Sequence, residues 1–445
     1  MQLQGDGNEA SPGAGSDSAR ILCENHPVAG ISGSTQLRVS SGLPIKCVPK
    51  YKECLLFRSP PEGQFMPSQP DLPEKNGAGV RTAKPRSAPP DRRSKEGLYT
   101  GLGFLPADRC REIHRIMVRS RSMEERMIKM AKSGEGYFWI GGPGEEAFNA
   151  CLGLQIKKGH GPAFDFLHLH YRNEATLVAL GMPLIDGIRQ MGMRRTDPHS
   201  MGRNFPGHFS VPQWNIAPIT SVIEVQFAMA PGSAIVQKRH GGDGITIVVG
   251  GEAGTAEGDF ASCLVWSTRP CNELPVLMIV MNNQWGISTA ACTQHGEKRI
   301  IDRGAAFGIP GEQVDGNDPV ASWHAVARAM QHCRKERKPF LLEAMVSRLH
   351  GHSSSSGAGR VPDENDSILD FESKMLQAGI LSERDIEQVH TEAKEETEAA
   401  LQQVLSEPFP APEDVERYTY APSPVDAVYP GDYLGLPGDA ASGGD

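Results

Sequence analysis

The chain has 445 residues, a formal net charge of −9 at pH 7 and a pI near 5.9. A nucleic-acid-binding domain carries a basic patch, so this charge balance argues against a nucleic-acid partner. No run of about eighteen apolar residues occurs, and we therefore expect no membrane-spanning helix.

Residues 1–98 are rich in Gly, Pro, Ser and charged side chains and show no sustained hydrophobic period. Such a composition predicts a mostly disordered extension, with short local structure only at residues 45–48 and 51–57. The first eighteen residues contain three acidic side chains and no Lys or Arg. They fit neither a secretory signal nor an Arg-rich transit peptide.

The nine cysteines are scattered, and no C-x-x-C pair occurs. This pattern indicates reduced thiols, with no disulfide framework and no structural zinc. We therefore expect a cytoplasmic protein.

The ordered part is predicted to begin near Phe104. Residues 110–132 carry apolar side chains at helical spacing, and these side chains are expected to form core rather than a contact surface. Three apolar runs, residues 245–249, 276–280 and 340–349, then alternate with helical segments. That alternation predicts βαβ units and a mainly parallel sheet flanked by helices, an α/β fold.

Residues 366–405 are predicted to form two or three amphipathic helices, with acidic starts such as the segment Ser382 to Asp385. We assign residues 99–364 to an α/β domain and residues 365–421 to a helical region of the same domain. Residues 422–445, rich in Gly, Pro and Asp, are predicted to be a flexible tail.

Two apolar runs end in polar residues suited to one site. Glu252 lies among glycines directly after the first run, and Asn283 follows the second run about thirty residues later. In an open parallel sheet, ligands bind at the carboxyl ends of the strands. Carboxylate and carboxamide oxygens suit Mg²⁺, which proteins usually hold together with substrate phosphates. Glycines beside Glu252 would let a diphosphate approach the backbone closely.

Two other interpretations of the glycines stay open at this point. A dinucleotide-binding loop would need G-x-G-x-x-G and an acidic residue about twenty positions later, where this chain has Asn272. An ordinary glycine-rich turn is the second alternative.

Five further motifs occur in a fixed order along the chain. They are Gly144-Glu145-Glu146-Ala147, His170-Tyr171-Arg172, Gly202-Arg203 with Pro206 and His208, Thr220-Ser221-Val222-Ile223 with Gln226, and Arg348 to Ser353. Together with the Glu252 and Asn283 segments, they make residues 104–412 resemble the α subunit of thiamine-diphosphate-dependent 2-oxo acid dehydrogenases. The resemblance implies a thiamine-diphosphate-binding fold.

The resemblance also implies roles for individual residues. Glu252, Asn283 and the backbone carbonyl of Trp285 would bind Mg²⁺, and His352 would act in catalysis or acyl transfer. The residues implied to contact the cofactor are Tyr171, Arg172, Ser221, Ile223, Gly251, Glu252, Ala253, Gly254, Asn283 and His352. Arg172 offers a fork of donors that matches a phosphate, and Ile223 would be the apolar support beneath the bent cofactor.

The sequence departs from the family pattern in several places. Ala253 replaces a glycine, Val225 replaces a threonine of the family's potassium loop, and Ser356 stands where an aspartate is usual. Ser353 occupies the position phosphorylated in mitochondrial members. Glu252 favours a branched-chain (3-methyl-2-oxobutanoate) substrate, whereas the His350-Gly351-His352 order favours the pyruvate type. Acetoin is the further alternative.

The resemblance implies partners as well. A β subunit would complete the site in an α2β2 heterotetramer, and a lipoyl-bearing acyltransferase would accept the acyl group derived from a 2-oxo acid. The rival interpretations are a non-catalytic regulatory paralogue and a nicotinamide-dependent dehydrogenase. A regulatory paralogue is expected to lack Glu252, Asn283 or His352, and all three are present.

Overall fold

The computed structural model describes residues 94–415. The short structure predicted at residues 45–48 and 51–57, the tail 422–445, and all but the last five residues of the extension 1–98 lie outside the described residues. The boundaries that we assigned to the extension, domain and tail stay predictions.

Nine strands form one central sheet and two small hairpins within the described range. The strands are β1 (Gly97–Thr100), β2 (Gly103–Pro106), β3 (Phe166–His168), β4 (Thr246–Gly251), β5 (Val276–Asn282), β6 (Trp285–Gly286), β7 (Thr289–Ala290), β8 (Gly311–Asp315) and β9 (Phe340–Met345). The central sheet has the order β3-β4-β5-β9-β8, and all of its pairings are parallel. The predicted mainly parallel sheet is therefore confirmed.

The two central strands explain why the sheet is parallel and covered. Every residue of β4 and β5 is buried, which is typical of strands with helices on both faces. Their register places Ile247 opposite Leu277 and Val249 opposite Ile279. Both strands end at the same edge, so the residues after them meet.

Ten α-helices occur in the described range. They are α1 (Ala107–Ser133), α2 (Glu146–Gly153), α3 (Glu174–Ala179), α4 (Leu184–Met191), α5 (Val225–His240), α6 (Gly258–Ser267), α7 (Ile301–Ala305), α8 (Pro319–Glu336), α9 (Ser367–Ala378) and α10 (Glu383–Ser406). None of these helices is long and apolar enough to cross a membrane.

The first helix has the amphipathic pattern that the sequence predicts. Its apolar positions, among them Ile113, Met117 and Met127, are fully buried in the main core. It ends at Gly134, whose φ of 81° is left-handed, a conformation that glycine adopts without a steric penalty. The assignment of these methionines to the core is confirmed.

Two helices, α9 and α10, form the region predicted at residues 366–405. A capping box begins α10, because the Ser382 side chain accepts from the Asp385 N–H while the Asp385 carboxylate accepts from the Ser382 N–H. Between the helices, Oε1 of Glu372 accepts from His114 of α1 at 2.8 Å and from His390 of α10 at 2.7 Å. These hydrogen bonds lower the pKa of Glu372 to about 2 despite its burial, and they tie α9 to both neighbours.

Deleting residues 1–90 should leave the domain folded, with a free energy of unfolding within about 0.5 kcal/mol of the full chain. The first buried apolar side chain of the described range is Leu98, which this deletion keeps. A deletion through residue 106 is the matched control, since it removes β1, β2 and the buried Leu105. It should cost about 1.5–3 kcal/mol for each buried leucine. An unfolded product of the shorter deletion would contradict this prediction, which denaturant unfolding tests.

Candidate functional site

One cleft of about 440 Å³ lies at the carboxyl edge of the central sheet. Segments that follow β3, β4, β5 and β9 reach it, as does the turn before α5, which is where a ligand site is expected in an open α/β sheet. Nine residues that the sequence suggested as cofactor or metal contacts line this cleft. They are Tyr171, Arg172, Ile223, Gly251, Glu252, Ala253, Gly254, Trp285 and His352.

Glu252 and Asn283 present oxygen atoms close to each other. Glu252 is 1% exposed, and its Oε2 accepts from the Asn283 N–H at 3.3 Å, while its Oε1 has no hydrogen-bond partner. The Asn283 Oδ1 accepts from the Trp285 N–H at 3.1 Å. Burial raises the pKa of Glu252 to about 7, although the charge of Arg172 opposes the rise. A buried carboxylate oxygen without a partner, beside a carboxamide, fits the hard oxygen donors that Mg²⁺ requires.

Arg172 brings a buried positive charge to the same cleft. Its Nε donates to Glu145 Oε1 at 2.8 Å, and its Nη1 donates to the Tyr171 hydroxyl at 2.8 Å. A β-carbon added to Gly251 would lie 2.9 Å from Arg172 Nη2, so the glycine lets the guanidinium approach the loop after β4. This arrangement suits an anionic ligand, because the guanidinium is a fixed planar donor.

Glu145 belongs to the site, although the sequence did not single it out as a site residue. Its Oε1 accepts from Arg172 and, at 3.1 Å, from Asn283 Nδ2, so it orients two groups that we assigned to the cofactor and metal. Its Oε2 is buried and has no partner, and burial raises its pKa. The Gly144 to Ala147 motif was visible, but nothing in its spacing indicates which side chain enters the cleft.

Glu224 is the second unforeseen residue, and it occupies the space that the glycines leave free. It is 2% exposed, and its backbone is left-handed with φ of 61°. A β-carbon on Gly250 or on Gly254 would collide with the Glu224 carboxylate. The close approach permitted by these two glycines is therefore used by a side chain of this chain.

His352 lines the cleft beside Tyr171, with the two ring centroids 6.1 Å apart in an edge-on arrangement. Burial and the charges of Arg172 and Arg348 lower the pKa of His352 to about 4. The imidazole is therefore neutral at pH 7 and can accept a proton or a hydrogen bond. His350 points away, toward Trp139, with the ring centroids 6.3 Å apart.

Ser221 and Asn283 do not line the cleft directly. Ser221 is exposed and hydrogen-bonds His208 Nε2, and the His208 ring is stacked on Tyr171 at 6.2 Å. Asn283 is buried, and its Nδ2 donates to Glu145 Oε1. Ser353 is buried, and its N–H donates to Ser356 Oγ at 3.0 Å.

Comparison with known proteins gives a consistent result. The dehydrogenase E1 component family model matches residues 114–413. The chain is 29% identical to the 2-oxoisovalerate dehydrogenase subunit alpha of Bacillus subtilis, over 70% of this chain and 94% of that protein. It is 30% identical to the protein of the same name from Pseudomonas aeruginosa, over 66% and 72% of the two chains. The pyruvate dehydrogenase E1 component subunit alpha of Bacillus subtilis is 26% identical, over 72% and 84%.

Proposed function

Because the chain belongs to the dehydrogenase E1 component family, we propose that it is the α subunit of a thiamine-diphosphate-dependent 2-oxo acid dehydrogenase. The observation that carries this proposal is the buried, unpartnered Oε1 of Glu252, which lies beside Asn283 at the carboxyl ends of two adjacent strands. Glu252, Asn283 and the Trp285 carbonyl would hold Mg²⁺. When bound, the cofactor would supply the thiazolium chemistry that decarboxylation of a 2-oxo acid requires.

The chain's own residues would bind the cofactor and orient the substrate. Arg172, which Glu145 and Tyr171 hold in place, would donate to the phosphate groups of the cofactor. Ile223 is 51% exposed at the cleft and offers an apolar surface to an aromatic ring. His352, neutral at pH 7, hydrogen-bonds the substrate or moves a proton during acyl transfer to a lipoyl carrier.

The proposed substrate is 3-methyl-2-oxobutanoate or a similar branched-chain 2-oxo acid. This choice is supported by Glu252 and by similarity to proteins named 2-oxoisovalerate dehydrogenase, one of which matches over 94% of its length. Pyruvate is the alternative, supported by the histidine order in residues 350–352 and by the relatives named pyruvate dehydrogenase.

A β subunit is proposed to cover the mouth of the cleft. Four apolar side chains are exposed on the segments that form the cleft or adjoin it, with exposed fractions from 36% to 64%: Val222, Ile223, Trp285 and Ile287. A cluster of exposed apolar residues beside a ligand site is typical of an interface. We therefore propose the α2β2 heterotetramer, with the lipoyl-bearing acyltransferase as the further partner.

The chain alone should not decarboxylate 2-oxo acids, whereas addition of the β subunit should give turnover with thiamine diphosphate and Mg²⁺. The reason is that the exposed apolar rim would leave the bound cofactor in contact with water, and closing an active site excludes water. Release of carbon dioxide from 3-methyl-2-oxobutanoate and from pyruvate, measured in parallel, tests function and substrate together. Full turnover by the isolated chain would contradict the β-subunit proposal and indicate a self-sufficient homo-oligomer.

A non-catalytic regulatory paralogue is the second candidate, because Glu224 places a carboxylate against the glycines of the cleft. A complex that assembles with the β subunit but releases no carbon dioxide from either acid would favour this alternative.

A further inference from the structure

Glu224 is a buried carboxylate that makes no ion pair among the residues the structure describes. It is 2% exposed, and its Oε2 has no hydrogen-bond partner. Its backbone is left-handed at a position before α5, which costs energy for any residue with a side chain. Burial of the carboxyl group and the left-handed backbone both cost folding free energy, and backbone strain of this kind concentrates at functional sites.

The Glu224 carboxyl group lies against the glycine loop that follows β4, near the charge of Arg172. It packs against Gly250 and Gly254, the two glycines on either side of the Glu252 segment. The Gly251 N–H and the charge of Arg172 both act to lower its pKa, but burial acts more strongly and raises the pKa to about 8. The same N–H and guanidinium are the donors that a diphosphate would use in this cleft.

We propose that the Glu224 carboxylate occupies the position of the cofactor's diphosphate and must leave the cleft before the diphosphate can bind. This inference rests on the proposed function. Glu224 is then an intramolecular competitor that sets the affinity for the cofactor. The Glu224 side chain can move out of the cleft toward solvent, because it follows a turn in which Val222 and Ile223 are 64% and 51% exposed.

The physical reason is a shared position. Two groups cannot occupy the same glycine pocket, and the Glu224 side chain lies where a β-carbon on Gly250 or Gly254 would collide with it. If only the conformation with Glu224 swung out binds the cofactor, the apparent affinity falls in proportion to the population of that conformation. Removing the side chain makes this conformation the only one.

The test is the affinity for thiamine diphosphate with Mg²⁺, measured by isothermal titration calorimetry on the full-length chain purified with its β subunit. Glu224→Ala and Glu224→Gly should each bind at least about tenfold more tightly than the wild type, which corresponds to about 1.4 kcal/mol. Glu224→Gln keeps the volume of the side chain in the pocket, so its gain should be smaller. Magnesium diphosphate without thiamine should gain by a similar factor, because the effect lies at the anionic end.

Two controls separate occupation of the cleft from other effects. Glu395→Gln removes an exposed charge on α10 that does not line the cleft and should change the affinity by no more than about twofold, since exposed charges are screened. Glu224→Gly also relieves the left-handed backbone and should raise Tm, whereas Glu224→Ala keeps that conformation. A gain in the glycine variant alone would mean that backbone strain is responsible, and would overturn the inference.

The remaining outcomes are distinct. Equal affinities of wild type and Glu224→Ala would overturn the inference and leave the proposed function intact. Weaker binding by Glu224→Ala would also overturn it and would make Glu224 a ligand of the cofactor or its metal. If no variant binds thiamine diphosphate, the proposed function fails, and the inference fails with it.

Discussion

Glu252→Ala should abolish the stabilisation that thiamine diphosphate with Mg²⁺ gives to the chain and its β subunit. A ligand that binds only the native state raises stability by RT ln(1 + [L]/Kd), about 2.7 kcal/mol at a concentration of 100 Kd. Glu252 offers a buried carboxylate oxygen without a partner, so alanine removes the group that we propose as the charged metal ligand. Thermal unfolding with and without Mg²⁺ and the cofactor measures the loss. Chelation of Mg²⁺ should reduce the wild type to the same value.

Two further variants sharpen this test. Asn283→Ala should also lose the stabilisation, because its carboxamide is the second side chain that we propose as a Mg²⁺ ligand. Glu312→Ala should keep the stabilisation. Glu312 lies on the edge strand β8, where it forms an ion pair with Arg328 of α8, and it does not line the cleft. Cofactor affinity that survives in both Glu252→Ala and Asn283→Ala would refute the metal site.

The cofactor-independent stability of Glu252→Gln should differ from the wild type in its pH dependence. The pKa of Glu252 rises from 4.5 to about 7 on folding, so between these pH values the native state binds more protons than the unfolded state. The wild type therefore loses stability as the pH rises through this window, and the glutamine variant lacks that loss. Replacing the proposed metal ligand should therefore leave the chain folded.

His352→Ala should lower turnover of the αβ complex by about 10²- to 10⁴-fold, the usual contribution of a positioned acid–base group. The side chain is half-buried beside Tyr171 and makes no hydrogen bond that supports the fold among those the structure shows. The free energy of unfolding should therefore change little, and cofactor affinity should fall only modestly. Carbon dioxide release and lipoyl acylation, measured separately, show which step the imidazole serves.

His350→Asn is the matched control, because it alters a histidine in the same loop whose ring faces Trp139 and does not line the cleft. Its turnover should fall by less than about tenfold. Wild-type turnover in His352→Ala, or an equal loss in both variants, would refute the assignment of His352 to the chemistry.

The sequence alone determined the architecture, because the signals for it are local. Apolar runs at residues 245–249 and 276–280 are long enough and β-branched enough to predict buried strands, and the strands observed there end within two residues of the predicted runs. The helical period of residues 110–132 likewise gave α1. Polar residues placed directly after such strands must meet at one edge of a parallel sheet, which is why Glu252 and Asn283 were predicted to lie together, as they do.

The tertiary structure alone decided how these residues are held and what fills the cleft. Glu145 is 107 residues away from Glu252 in the chain, and only the packing of α2 near the sheet brings its carboxylate to Arg172 and Asn283. No local sequence pattern predicts the conformation of Glu224. A glutamate with φ of 61° is rare and is stable only when the surrounding structure compensates for it. Residue spacing shows that glycines leave space beside a strand, but long-range packing determines whether a ligand or a side chain of the same chain occupies that space.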